Sequence, residues 1–260
     1  MTRLRSAQPE SSVERFFLRQ PLQIANSQAP GSTGECVQLD GPEAHHLLHV
    51  LRAKVGDRVG LFNGEGAEAI AEIVNIRKRS AELRLLETWS VPAELRTLTI
   101  ATAMPKGDRA RWLIEKCTEL GVARLIPLRT QRSVVEPGES KMDKLDQAVI
   151  AACKQCGRSH LMTISPLMTF AKLLKELTPG TLIAHPNAPI SVSEALSLSD
   201  NGNQVKAVSA VMLIGPEGGF TDDEFSAAVA AGATPVNLGP HILRIETAAI
   251  AVAAAWRFIK

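Results

Sequence analysis

Between residues 13 and 87, apolar and polar positions follow one another in short runs. Residues 58–62 and 67–76 flank Asn63-Gly64-Glu65-Gly66, and 82–86 follows the basic turn Arg77-Lys78-Arg79. Runs this short, punctuated by such turns, predict hairpins, and their spacing suits a small β-barrel. One helical insert, 42–51, interrupts it, and residues 89–96, with Pro92, read as a linker. Beyond the linker, apolar runs alternate with amphipathic stretches: strand 98–103, helix 106–120 ended by Gly121, strand 124–128, helix 141–157 and strand 181–184. That alternation predicts an α/β domain. In the first of these helices Ala110, Leu113, Ile114, Cys117 and Leu120 form the buried stripe, with Arg109 and Lys116 together at its edge.

The most informative stretch is VMLIGPEGGFTDDE, residues 211–224. Residues 211–214 are too short an apolar run for a helix, and Gly215, Gly218 and Gly219 let backbone approach a ligand where a side chain would collide. Thr221 and Glu224 then form a capping box that starts a helix. The design recurs about twenty residues later: a strand at 235–238, a Gly239-Pro240 turn, and an alanine-rich helix from Glu246. Two strand-loop-helix units in tandem point to one shared pocket at the strand ends. GPEGGF has neither P-loop nor dinucleotide-fingerprint spacing, so the ligand is not expected to be held by its phosphates. The helix 246–259 is apolar nearly all round and needs cover on most sides, for which a second subunit is a natural source.

Composition narrows the class. A chain of 260 residues with 45% apolar and 22% charged content is expected to be a globular cytoplasmic protein. No apolar run reaches membrane-spanning length, and residues 1–12 read as a frayed, disordered tail. Net charge is only +2, but 12 basic against 8 acidic residues lie between 91 and 160, a modest patch able to attract phosphates. The absence of tyrosine and the low aromatic content argue against a base-stacking platform.

The cysteines and histidines do not assemble a metal site. Cys153 and Cys156 fall near the C-terminal end of a helix, where the dipole disfavours a thiolate; Leu145, Ala148, Val149, Ala152 and Cys156 form one stripe with Cys153 at its flank, so both cysteines read as core. His45 and His49 have i, i+4 spacing, but His46 stands where a zincin glutamate belongs and no third ligand is evident. Core packing or RNA contact suits the histidines better. Arg15 and Arg52 are more plausible phosphate contacts.

LIGPEGGFTDDE together with LGPHILRIETAAIAV closely resembles the two C-terminal motifs of the RsmE family of 16S rRNA uridine-N3 methyltransferases, of the SPOUT class. ERFFL, AHHLLHVLRAKVGD, PKGDRARWLIEKCTELGV and Arg132-Ser133-Val134-Val135 resemble further blocks of that family in family order, over most of the chain from Glu14 onward. The resemblance implies a PUA-like β-barrel RNA-binding domain at 13–90 and a SPOUT α/β methyltransferase domain at 91–260, its C-terminal chain threaded into a trefoil knot. It implies a homodimer acting on 16S rRNA, within the small ribosomal subunit, at the uridine numbered 1498 in the usual rRNA numbering. S-adenosylmethionine would lie against Ile183, Ala184 and His185, then Gly215, Pro216, Glu217, Gly218 and Gly219, then Leu238, Gly239, Ile242, Leu243 and Arg244. The chain departs from the family pattern at Lys154-Gln155-Cys156-Gly157-Arg158, where Glu-Gln-Ser is commoner before the arginine. Any acidic role at Lys154 is therefore absent.

Uridine N3 carries a weakly acidic proton, so transfer needs its removal or stabilisation of the anion that forms. Arg244 is the first candidate for the second task and Arg158 the next, since a guanidinium keeps its proton and can pair with an oxyanion. Glu217 and Glu246 lie in the right loops, but glutamates at helix starts are more often caps than bases. Arg15, Arg52, Lys106, Arg109, Lys116, Arg132 and Arg158 are the RNA-contact candidates. Two other classes stay open. A dinucleotide-dependent oxidoreductase explains strand-glycine-helix units but lacks the fingerprint; an RNA-binding adaptor explains the barrel but needs no paired pocket loops. Cofactor binding separates the three.

Overall fold

The structure is a computed structural model that describes residues 13–22, 34–134, 138–198 and 208–259. The expected tail at 1–12 and Val135 lie outside these. The chain divides into two compact units, Met1–Ala93 with Gly157–His160, and Glu94–Cys156 with Leu161–Lys260.

The first unit contains β1 (Arg15–Phe17), β2 (Cys36–Leu39), α1 (Gly41–His45) continuing into a π-helical turn (His46–Val50), β3 (Arg58–Phe62), β4 (Ala67–Ile76) and β5 (Ala81–Ser90). They form one sheet in the order β1-β3-β4-β5-β2. Hairpin turns make β3, β4 and β5 antiparallel, whereas β1 joins β3 in parallel. Ala81, Leu83 and Leu85 point inward on β5 while Glu82 and Arg84 face out, the period of two that a half-buried strand requires. Two register shifts between β4 and β5 bend the pair. Phe16, Val37, Leu47, Leu61, Ile73 and Leu83 share one core, so strands and insert close on a single interior. The expected linker at 89–96 is shorter, because Trp89 and Ser90 still pair with Glu68 and Ala67 on β4. The ladder stops just before Pro92, which has no N–H to donate.

The second unit begins with β6 (Arg96–Thr102), α2 (Asp108–Glu119), β7 (Arg124–Arg129), α3 (Glu139–Cys156), β8 (Thr163–Ile164), β9 (Met168–Thr169) and α4 (Phe170–Leu174). It continues with β10 (Thr181–Ala184), α5 (Val192–Leu198), β11 (Val208–Ile214), α6 (Asp222–Ala230), β12 (Thr234–Val236) and α7 (Ile245–Phe258). The sheet order is β12-β10-β11-β6-β7-β8, with β9 also on β7, and every pair is parallel. Ala101, Ile126, Ile183 and Leu213 therefore sit side by side in one core, as parallel strands covered on both faces require. Because β10, β11 and β12 are neighbours running the same way, their following loops emerge at one edge.

Three helix readings change in detail. Cys153 is buried, but Cys156 is exposed at the end of α3, where the chain turns off at Gly157 (φ +76°) before the stripe can meet another surface. Leu120 is only half-buried, and Thr118 takes the inner position. On α7, Ala248, Ala249, Val252, Ala253 and Trp256 are buried, while Thr247, Ala251 and Phe258 stay exposed and Ile250 and Ala254 half so. One long stripe of this helix is open. No helix among the described residues is long and apolar enough to cross a membrane. No cluster of His, Cys, Asp or Glu among them can hold a metal ion. Burial pushes the Cys117 thiol up to about 12, so this cysteine is inert packing.

Candidate active site

Three loops at the carboxyl edge of the second sheet enclose a cavity of about 320 Å³, the scale of a small-molecule site. Ala184 ends β10, and His185 and Pro186 follow it; Gly215, Pro216, Glu217, Gly218, Gly219 and Phe220 follow β11; Leu238, Gly239, His241, Ile242 and Leu243 follow β12. Gly219 (φ +70°) and Gly239 (φ +100°) take left-handed conformations that other residues rarely adopt. At Gly215 an added Cβ would lie 3.0 Å from the backbone nitrogen of Phe220, so the loop can fold back on itself only without a side chain there.

The walls are held by hydrogen bonds between loops distant in sequence. Asn237 donates from Nδ2 to the carbonyls of Ala188 and Ile190, each at 3.0 Å, and its own Oδ1 accepts from Gly239 N at 3.3 Å. Behind the middle loop the capping box predicted for Thr221 and Glu224 is formed. The Glu224 carboxylate also accepts from Gln131 N at 2.8 Å, joining the loop after β7 to the start of α6. Glu224 is buried, and its loss leaves the part-buried N–H groups of Gln131 and Thr221 without their carboxylate partner. Glu224→Ala is expected to cost about 2 to 4 kcal/mol, from charge-assisted bonds in a shielded site. Urea unfolding measures this, and an unchanged midpoint would refute the strut.

Of the residues assigned to the pocket from sequence, Ala184, His185, Gly215, Pro216, Glu217, Gly218, Gly219, Leu238, Gly239, Ile242 and Leu243 line it. Ile183 does not: it is fully buried within the sheet, because the alternation of β10 turns its side chain into the core. Arg244 is not a lining residue either. It is exposed as the N-cap of α7, directly after Leu243, and its side chain makes no cap hydrogen bond. Ile214, Phe220, His241 and Ala248 also line the cavity and were missed by sequence reasoning. Asn237 was missed too, although an Asn two residues before a turn glycine is a recognisable local signal.

The RNA-contact candidates divide. Arg52 is exposed and has a left-handed backbone (φ 56°), unusual for a non-glycine residue. Lys106 is exposed. Lys116 pairs with Glu119 on its own helix at 2.7 Å. In the first unit, Arg15 is only 13% exposed, ion-paired with Glu68 and stacked 4.7 Å over the Phe62 ring. Its chemistry is that of a packed strut. Arg158 is half-buried in the same unit, and its carbonyl accepts from Arg15 at 3.4 Å. Arg109 and Arg132 both reach the loop after β11.

Residues 92–257 match the family model of an RNA methyltransferase domain, and residues 39–86 that of an RNA methyltransferase PUA domain. The chain belongs to this RNA methyltransferase family. Among its relatives, ribosomal RNA small subunit methyltransferase E of Synechocystis is 34% identical over 92% of this chain and 77% of its own length. The Rickettsia conorii protein of the same name is 35% identical over 83% and 86%. A Neisseria gonorrhoeae ribosomal RNA small subunit methyltransferase E solved with S-adenosylmethionine superposes with a TM-score of 0.78 at 29% identity, over 94% of this chain and 96% of that one. A Legionella pneumophila methyltransferase with the same cofactor bound gives 0.80 at 29% identity, over 94% and 97%. This methyltransferase thus shares its fold over both units with relatives that bind that cofactor.

Proposed function

We propose that this enzyme methylates N3 of a single uridine of 16S rRNA, the one numbered 1498 in the usual numbering, using S-adenosylmethionine bound in the three-loop cavity. The observation that carries the reading is the cavity itself: glycine backbone on one wall and uncharged side chains over much of the rest suit a nucleoside that is not gripped by phosphates. Ile242, 79% exposed at its mouth, offers apolar surface for a flat base. Bound S-adenosylmethionine supplies an electrophilic methyl group on a sulfonium centre.

The protein's own task is to hold the uracil and steady its charge as N3 loses a proton. Arg244 stands next to the pocket, exposed and held at the start of α7, and is assigned to the developing uracil oxyanion. Arg158, in the first unit, is kept as the second arginine candidate for contact with the RNA. Glu217, the carboxylate on the pocket wall, is engaged by Arg109 at 3.4 Å and is not assigned as the base. Arg52, Lys106 and Lys116 are the remaining candidates for phosphate contacts, which position RNA without reading its sequence.

The open stripe of Thr247, Ile250, Ala251, Ala254 and Phe258 along α7 supports a homodimer closed by this helix. The family's trefoil knot, a cytoplasmic setting and the assembled small subunit as substrate complete the reading. The test is methyl transfer to naked 16S rRNA and to small subunits carrying unmodified rRNA, with the product located by mass spectrometry of nuclease fragments. One methyl at a single uridine N3, with RNA affinity falling steeply as salt rises, is the expected result. A protein that binds S-adenosylhomocysteine yet modifies neither substrate would overturn the rRNA assignment.

A further inference from the structure

Two arginines of the basic middle segment have partners that phosphate binding does not explain. Arg109, in the first turn of α2, places Nη2 3.4 Å from Glu217 on the pocket wall and Nη1 3.5 Å from Glu246 at the start of α7. Glu246 is only 4% exposed, and its Oε2 has no hydrogen-bond partner among the described residues. Arg109 is thus a countercharge for a buried carboxylate as well as a link to the loop. Arg132, after β7, donates from Nη1 to the carbonyl of Gly218 at 2.7 Å and to that of Phe220 at 3.5 Å. Its aliphatic stem covers Gly218 so closely that an added Cβ would meet Cδ at 3.3 Å.

The sheet explains the convergence. β11 lies beside β6, and β6 beside β7, all parallel. Chain leaving β6 and β7 therefore flanks the loop leaving β11. That loop carries three glycines in five residues, and ordering glycine backbone costs more conformational entropy than ordering any other residue. Contacts that order it before the ligand arrives convert that cost into affinity.

We propose that Arg109 and Arg132 are positioning residues, a two-sided clamp on the loop at 216–220 that sets cofactor affinity, and not RNA-phosphate contacts. This rests on the methyltransferase reading above. Removing a phosphate contact lowers the slope of log affinity against log salt by about one, whereas removing a loop clamp leaves it unchanged.

Wild type, Arg132→Met, Arg109→Lys, Arg109→Met and Glu217→Gln are each titrated with S-adenosylhomocysteine by calorimetry, and with 16S rRNA across a salt series. Arg132→Met is expected to weaken S-adenosylhomocysteine about tenfold and Glu217→Gln about threefold, with the RNA salt slope unchanged. In turnover, KM for S-adenosylmethionine rises while kcat at saturation stays within about twofold. Arg109→Lys keeps a cation beside both glutamates and is expected to recover most of the affinity that Arg109→Met loses. Should Arg109→Met fail to fold, with Glu246 left uncompensated, the Glu217→Gln and Arg132→Met pair carries the test. Unchanged S-adenosylhomocysteine affinity, or a lower salt slope, in Arg132→Met or in a folded Arg109→Met overturns the clamp. Failure of the wild type itself to bind S-adenosylhomocysteine would instead remove the functional reading beneath it.

Discussion

Gly218→Trp is expected to abolish binding of S-adenosylhomocysteine, lowering affinity by more than about a hundredfold. Gly218 lines the cavity, and its backbone, unlike that of Gly219 or Gly239, is not in the left-handed region, so an L side chain is accepted without backbone strain. The first atom of that side chain already meets Arg132 at 3.3 Å. The indole must then either enter a cavity of about 320 Å³ or displace the arginine stem that covers the loop, and both routes remove the site. Gly218 is exposed, so stability should change little; thermal unfolding serves as the control, and calorimetry reads the affinity. A dissociation constant within about threefold of wild type, in a folded variant, would place the ligand elsewhere.

Arg244→Ala is expected to lower kcat for methyl transfer by about a hundred- to a thousandfold, the range for losing one charge-stabilising group at a reacting centre. S-adenosylhomocysteine affinity should stay within about threefold, because Arg244 is not among the cavity-lining residues. Nor should the fold suffer: the side chain is exposed and makes no cap hydrogen bond on α7. Arg244→Lys is expected to recover only part of the rate, since an ammonium lacks the planar fork that matches a carbonyl pair. Single-turnover methylation at saturating cofactor measures the effect. A rate within threefold of wild type would reduce Arg244 to a surface residue.

These two experiments probe different layers of the molecule. Gly218 tests a wall made of backbone, legible in sequence because glycine runs and capping residues act locally. Arg244 tests a side chain whose proposed partner is the substrate. Between them lies the clamp, which no local pattern announced: Arg109 meets Glu217 across 108 positions and Arg132 meets Gly218 across 86. From sequence both arginines read as phosphate contacts, since a lone basic residue on a helix edge or loop carries no signal of what will face it.

What the amino-acid sequence determined by itself was whatever depends on neighbours within a turn or two. Periodicity located the hairpins of the first unit and the alternating strands and helices of the second. The tandem glycine loops marked a pocket, and Thr221 with Glu224 marked the start of α6. Tertiary structure decided what depends on long-range pairing. Pairing of β10 between β11 and β12, with Phe170 and Ala228 packed in the same core, closed over Ile183. The end of α3 left Cys156 exposed while Cys153 was buried. Packing in the first unit sealed Arg15 against Glu68 and Phe62. The division is physical: hydrogen bonding along the backbone and the period of apolar residues are local quantities, whereas the partner of a charged side chain is set by which strands become neighbours in the sheet.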